Sequence, residues 1–199
     1  DTEMYELSVA AWLHDCGKIT TPEYVVDKAT KLETIFDRIN LVHTRFEILK
    51  RDAVIDALKL ILKKDMNYDD IDQALKEDAS LQSVLVELEK EKKEIEKYNI
   101  GGESLLDFDK KRIQEISKRK YKDSGHNKIP LLNSEEVENL KISRGTLNDT
   151  ERQIINNHVT VTIKMLESLP YPKHLKNVPE FAGCHHEKMD GTGYPNQLN

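Results

Sequence analysis

From Leu32 the apolar residues fall at Ile35, Ile39, Val42, Phe46, Leu49, Ala53 and Leu60, with gaps mostly of three and four. That spacing predicts a helix with a narrow heptad-like seam rather than a broad globular stripe. A second run carries Ile71, Ala74, Leu75, Leu81, Leu85, Leu88 and Ile95, interrupted at Asp78 and Lys92. The polar stretch KKDMNYDD, residues 63–70, separates them as a turn. Two helices of about 30 residues would each reach about 45 Å at 1.5 Å per residue. The pattern predicts a long antiparallel helical hairpin, able to pair with a second copy of the chain.

The flanks carry shorter patterns. Residues 3–16 place Leu7, Ala10, Ala11, Trp12 and Leu13 near helical spacing, with Gly17 as a left-handed helix end and His14 and Asp15 on the last turn. TTPEYVV, residues 20–26, reads as a single helical turn opened by its proline. After the break NIGGES at 99–104 a shorter helix is expected to run to Lys120, and residues 122–134 read as a loop. Asn148 followed by Glu151 marks another helix start. Its stripe of Ile154, Val161, Met165 and Leu169 ends at Pro170 and turns His158 inward. Strand signals are weak throughout, so the fold class is all-α.

Composition adds limits. The 199 residues are 38% hydrophobic, 33% charged and 6% aromatic, with net charge −6 and a pI near 5.7. There is no overall basic field to hold a nucleic acid polymer or a membrane surface, and no apolar run of about 18 residues. The basic segment KKRIQEISKRKYK, residues 110–122, either touches phosphate or is the solvated face of a helix in an acidic chain. Cys16 and Cys184 each adjoin a histidine, and they read as reduced thiols of a cytoplasmic chain, packed as small residues rather than reactive. His126 and His174 lie in loop-like surroundings and read as surface residues.

The candidate chemistry is a set of histidines on separate segments: His14 beside Asp15, the inward His158, and His185 beside His186. A lone inward histidine is ordinarily a satisfied core residue. Several imidazoles buried with a carboxylate would leave polar groups unsatisfied at about 1–3 kcal/mol each, and a divalent cation answers all of them. Imidazole and carboxylate without thiolate suit iron, manganese, zinc or nickel better than calcium. A carboxylate can bridge two metals, and a two-metal centre suits attack on a phosphate ester. Lys18 either assists there or answers the helix dipole, and the glycines at 191 and 193 either make room for a ligand or form an ordinary turn.

HDCGK at 14–18 followed by HHEKMDGTGYP at 185–195 resembles the HD-GYP family, a branch of the HD metal-dependent phosphohydrolases whose members hydrolyse the bacterial messenger cyclic di-GMP. The resemblance covers residues 1–32 and 143–199, the two parts of an HD-like helical core. It implies that His14, Asp15, His158, His185 and His186 are metal ligands, with Asp15 bridging two or more divalent ions, iron or manganese before zinc or nickel. Asp15 and Lys18 would serve catalysis, Lys18 by contacting the substrate phosphate. Asp190, Gly193, Tyr194 and Pro195 would line the nucleotide site and offer a surface to signalling partners.

The chain departs from the family pattern in three ways. Further ligands expected upstream of His14 and downstream of Pro195 are absent from it, so it is expected to be part of a longer protein, with a metal site incomplete and little turnover in isolation. Residues 33–142 separate the two core segments and read as an insertion serving dimerisation or signal transmission. His43, 29 residues after His14, competes with His158 as the middle ligand. His158 is preferred because its helix leads into GCHHE, whereas His43 sits in the heptad run. The runner-up functions are an HD phosphohydrolase acting on another nucleotide and a non-catalytic dimerising module.

Overall fold

A computed structural model of the chain describes residues 2–64, 68–102 and 104–198, and the chain divides into two compact units. One comprises residues 1–28 and 147–199, the other residues 29–146. Helices dominate both, and the two described strands are three residues each, so the fold is all-α apart from one small hairpin.

The split unit contains α1 (Thr2–Leu13), α2 (Glu23–Val26), α8 (Asp149–Glu167) and α9 (Val178–Gly183), with short 3-10 turns at Cys16–Thr20 and Lys173–Leu175. Helix α8 starts as its sequence dictates. Asn148 accepts from the Glu151 N–H, and the Asn148 N–H donates to Glu151 Oε2, both at 2.9 Å. Its buried face is Glu151, His158, Val159, Thr162 and Leu166, one position round from the expected stripe, so Met165 and Leu169 are exposed. Ala10, Leu166, Val178 and Ala182 form a small core, edged by Leu13, Tyr171 and Phe181. Helix α1 buries only Glu6 and Ala10, while Leu7 and Trp12 face outward.

Two buried carboxylates position these helices. Glu6 accepts from the Asn177 backbone N–H at 2.6 Å and from its Nδ2 at 3.2 Å, tying α1 to the start of α9. Lys28, fully buried, donates to both oxygens of Glu151 at 2.8 Å each. Removing one partner of a buried pair leaves the other charge short of its compensation, at about 3–5 kcal/mol. Glu151→Ala, which also deletes the cap of α8, is therefore expected to lower unfolding stability by about that amount in a denaturant titration. A loss under about 1 kcal/mol would refute the assignment.

The second unit contains α3 (Ile39–Ile61), α4 (Tyr68–Glu77), α5 (Ala79–Asn99), α6 (Asp107–Ile116), the antiparallel pair β1 (Lys120–Lys122) and β2 (Lys128–Pro130), and α7 (Ser134–Leu140). It differs from the bare hairpin expected. Val42, Phe46 and Leu49 of α3 do pack with Leu88 and Ile95 of α5, but Ile113, Ile116, Leu131, Leu132, Val137 and Leu140 complete the same core. Ile35 precedes α3 and Leu60 faces solvent, so neither belongs to the seam. The second run is two helices, because Asp78 accepts from the Leu81 N–H at 2.9 Å and caps α5 anew. The turn expected at 63–70 falls partly on residues 65–67, outside the described residues, and α4 begins at Tyr68.

Helix α6 stops at Ile116 rather than Lys120, because Arg119 and the residues after it turn into the hairpin that pairs Lys120 with Pro130. The basic segment is largely spent on internal pairing. Arg112 reaches Glu94 at 2.7 Å and Glu87 at 3.0 Å, and Arg119 holds the buried Glu91 at 2.6 Å. Helix α7, which follows the stretch read as a loop, carries the same capping signature at Asn133 and Glu136 that marks α8. Fully buried Lys31 donates to the carbonyls of Leu140 and Ile142 just past α7, and burial pulls its pKa down.

Candidate metal centre

The HDCGK segment is a turn laid on α8. Helix α1 ends at Leu13, so His14 and Asp15 sit just beyond it and not on its last turn. Gly17 lies in the 3-10 turn without the left-handed backbone expected of a helix end, which among the described glycines occurs at Gly145 and Gly191. Its role is close approach. The Gly17 N–H donates to Thr162 Oγ1 at 2.9 Å, and a Cβ at this position would lie 2.1 Å from the His158 carbonyl oxygen. This seat sets Asp15 against His158, whose Nε2 is 3.2 Å from Asp15 Oδ1.

Three imidazoles share one orienting device. His14 Nδ1 is 2.6 Å from the Ala11 carbonyl, His185 Nδ1 is 2.7 Å from the Ala182 carbonyl, and His158 Nδ1 meets the Ile155 carbonyl. A carbonyl oxygen can only accept, so each Nδ1 carries a proton, and a ring in its neutral form then presents a bare Nε2. Those nitrogens converge. His14 Nε2 is 3.1 Å from Asp15 Oδ2, His185 Nε2 is 3.8 Å from Asp15 Oδ1, and the Nε2 atoms of His158 and His185 are 3.4 Å apart. His186 joins by ring packing, with centroids 4.2 Å from His185 and 5.3 Å from His158.

Lone pairs facing lone pairs at these distances repel unless a cation lies among them. Asp15 Oδ1 is buried with no hydrogen-bond donor, a cost the fold would otherwise carry unanswered. The donors form two overlapping sets, His158 with His185 and His186, and His14 with Asp15 and His185, each within bonding reach of one ion. The chemistry fits divalent iron, manganese, zinc or nickel, and neither cysteine enters either set. Carbonyl-anchored Nδ1 atoms are the usual support for metal-binding imidazoles.

Electrostatics keeps the donors in their binding forms. Burial opposes ionisation of Asp15, but the Lys18 ammonium at 2.8 Å together with the neighbouring His14 and His158 holds the carboxyl below its ordinary value. Burial pushes His185 and His186 below the usual imidazole range, His186 further through the neighbouring His185. With a lowered folded-state pKa, the unfolded chain takes up protons first, so stability rises with pH around the ordinary value near 6.5. The metal-free fold is expected to lose stability as pH falls from 7 toward 5, and His185→Gln with His186→Gln is expected to flatten that slope in denaturant titrations. An unchanged slope would exclude these two histidines as its cause.

The remaining sequence-assigned residues fall as follows. Lys18 Nζ rests on Asp15 Oδ2. Asp190 accepts from the Thr192 N–H and hydroxyl, which occupies its carboxylate within the loop. The Cβ position of Gly193 is filled by the backbone of Glu187 and Lys188, 2.4 and 2.5 Å away. Tyr194, followed by a cis bond to Pro195, stacks on His186 with centroids 4.6 Å apart and planes 14° from parallel. His43 lies in the second unit, 3.0 Å from Glu96, so it is His158 that reaches the cluster. His126 and His174 are exposed. Thr162, Glu6 and Glu187 had no assigned part, although Thr162 lies one helical turn from His158 on the same face of α8.

Residues 124–199 match the HD domain family. The matched span holds His158, His185 and His186, and the first 28 residues bring His14 and Asp15 to the same compact unit. The chain is also similar to the 3'3'-cGAMP-specific phosphodiesterase 3 of Vibrio cholerae serotype O1, at 38% identity over 55 residues. That stretch is 28% of this chain and spans 11% of the relative's length. Both findings support the HD-GYP resemblance carried by the motifs. No solved structure gives a significant match. None of the helices is long and apolar enough to cross a membrane, among the described residues.

Proposed function

We propose that the protein is a metal-dependent phosphodiesterase that opens a phosphodiester bond of a cyclic dinucleotide, with cyclic di-GMP as its substrate. The observation that supports this best is the meeting of His14, His158 and His185 around the Asp15 carboxylate, whose Oδ1, facing His158 and His185, is buried without a hydrogen-bond donor. Divalent ions held there would supply an activated water at neutral pH and offset negative charge on the phosphoryl oxygens. The chain's own residues do the rest. The carbonyl-anchored imidazoles hold the donor geometry, His185 is common to both donor sets, and Asp15 of one set reaches His158 of the other. Lys18, half-exposed beside Asp15, is the cation nearest an incoming phosphate in a chain of net charge −6.

In this reading residues 33–142 are an insertion into an HD-like core, serving dimerisation or signal relay in the bacterial cytoplasm, and the GYP loop meets a signalling partner. The curated relative is named for 3'3'-cGAMP, which favours that dinucleotide as the second reading. The test is turnover by the full-length protein, loaded with manganese or iron, against cyclic di-GMP, 3'3'-cGAMP and other nucleotides. Preference for cyclic di-GMP supports the substrate assignment, and preference for another cyclic dinucleotide replaces it. Failure to bind metal or to cleave any nucleotide would favour a non-catalytic relay.

A further inference from the structure

Tyr194 sits in a loop that closes on itself rather than opening toward a ligand. Glu187 accepts from the backbone N–H groups of Asn196 at 2.7 Å and Leu198 at 3.0 Å, holding the chain on the far side of Tyr194. Gly193 lies buried on the backbone of Glu187 and Lys188, a seat too tight for any Cβ. The Tyr194 N–H points to the His186 carbonyl at 3.3 Å. These contacts bring the phenol ring flat onto the imidazole of His186, at 4.6 Å and 14°. The loop thus folds back over the residue two positions before its own first turn.

His186 differs from its companions in one respect. His14, His158 and His185 each have Nδ1 fixed by a carbonyl three residues earlier, whereas His186 has ring contacts and, among the described residues, no carbonyl partner. A metal-binding imidazole needs its ring plane fixed, and a flat aromatic face restricts rotation about the Cβ–Cγ bond as a hydrogen bond does. We infer that Tyr194 is the positioning residue of His186: its ring, seated by Gly193 and Glu187, replaces the carbonyl that orients the other three imidazoles. This rests on the reading of the histidine cluster as a metal centre. It gives the Gly-Tyr pair a part inside the metal site, distinct from any contact with nucleotide or partner.

The test compares Tyr194→Phe, which keeps the flat face, with Tyr194→Leu, which keeps apolar bulk without it. Cobalt(II) is titrated into each folded variant of the 199-residue chain and followed by calorimetry and the visible spectrum, alongside imidazole NMR of the metal-free chain. Loss of an outer partner of a ligand costs roughly 10–100-fold in metal affinity. Tyr194→Leu is expected to weaken cobalt binding by about that factor and to change the His186 ring resonances while leaving those of His14 unchanged. Tyr194→Phe is expected to match the parent within about twofold. Equal affinity for Tyr194→Leu and the parent, or equal loss in both variants, would overturn the assignment. If the parent binds no cobalt, the metal-centre reading fails separately, and the metal-free NMR comparison alone decides whether Tyr194 fixes the His186 ring.

Discussion

Asp15→Ala is expected to abolish stoichiometric metal binding and to lower turnover by the full-length protein by well over 100-fold, beyond the cost of losing an outer-sphere partner. Asp15 supplies the one carboxylate in the two donor sets, and its oxygens face His14, His158 and His185 at 3.1–3.8 Å. Asp15→Asn preserves the shape and one acceptor oxygen but removes the charge, so it is expected to fall between the parent and Asp15→Ala in affinity. Because the Lys18–Asp15 pair is partly exposed, such pairs contribute about 0–1 kcal/mol, and the metal-free unfolding midpoint should move little in either variant. Elemental analysis after dialysis, together with thermal unfolding, separates the two effects. Retention of metal by Asp15→Ala would remove the carboxylate from the centre.

Gly17→Ala is expected to be the most damaging single methyl group in the split unit. The new Cβ would lie 2.1 Å from the His158 carbonyl oxygen and 2.7 Å from the Thr162 amide nitrogen. Both are backbone atoms of α8, so the turn or the helix must move, at about 1–3 kcal/mol or more for an overpacked contact. Movement there pulls Asp15 from His158, and metal affinity should drop with stability. Gly102→Ala is the control, since nothing lies within 4 Å of a Cβ at that position. Denaturant midpoints for the two variants decide the matter, and equal midpoints would show that Gly17 is not a packing requirement.

The residues of the candidate centre were legible because chemistry-bearing types recur in short, specific strings: HDCGK and HHEKMDGTGYP bound the site at both ends of the chain. The choice between His43 and His158 was not a matter of periodicity, because both lie on helical stripes. It depends on which compact unit each helix joins, and only the fold places α8 under the 14–18 turn. The role of Gly17 was misread, and the neighbours of Gly193 and Asp190 went unseen, for a related reason. Sequence shows that a position tolerates glycine or aspartate, but close backbone approach and a loop-internal hydrogen bond depend on neighbours distant in sequence or on the turn actually adopted.

The second unit was underestimated because its added core comes from short elements. Ile113 and Ile116, Leu131 and Leu132, Val137 and Leu140 are pairs or near-pairs in α6, just after the hairpin and in α7. None is long enough to show a period. The heptad run, in contrast, is conspicuous and drew the eye to a hairpin. At Asp78 the same run hides a helix break, because an N-cap residue can interrupt an apolar pattern without altering its apparent phase.

Anomalous diffraction from crystals of the chain grown with manganese bears most directly on the cation-binding cluster. Density within coordination distance of Asp15 and the Nε2 atoms of His158 and His185 is the expected result. A well-ordered cluster with its imidazole and carboxylate groups in place and no anomalous density among them would contradict it.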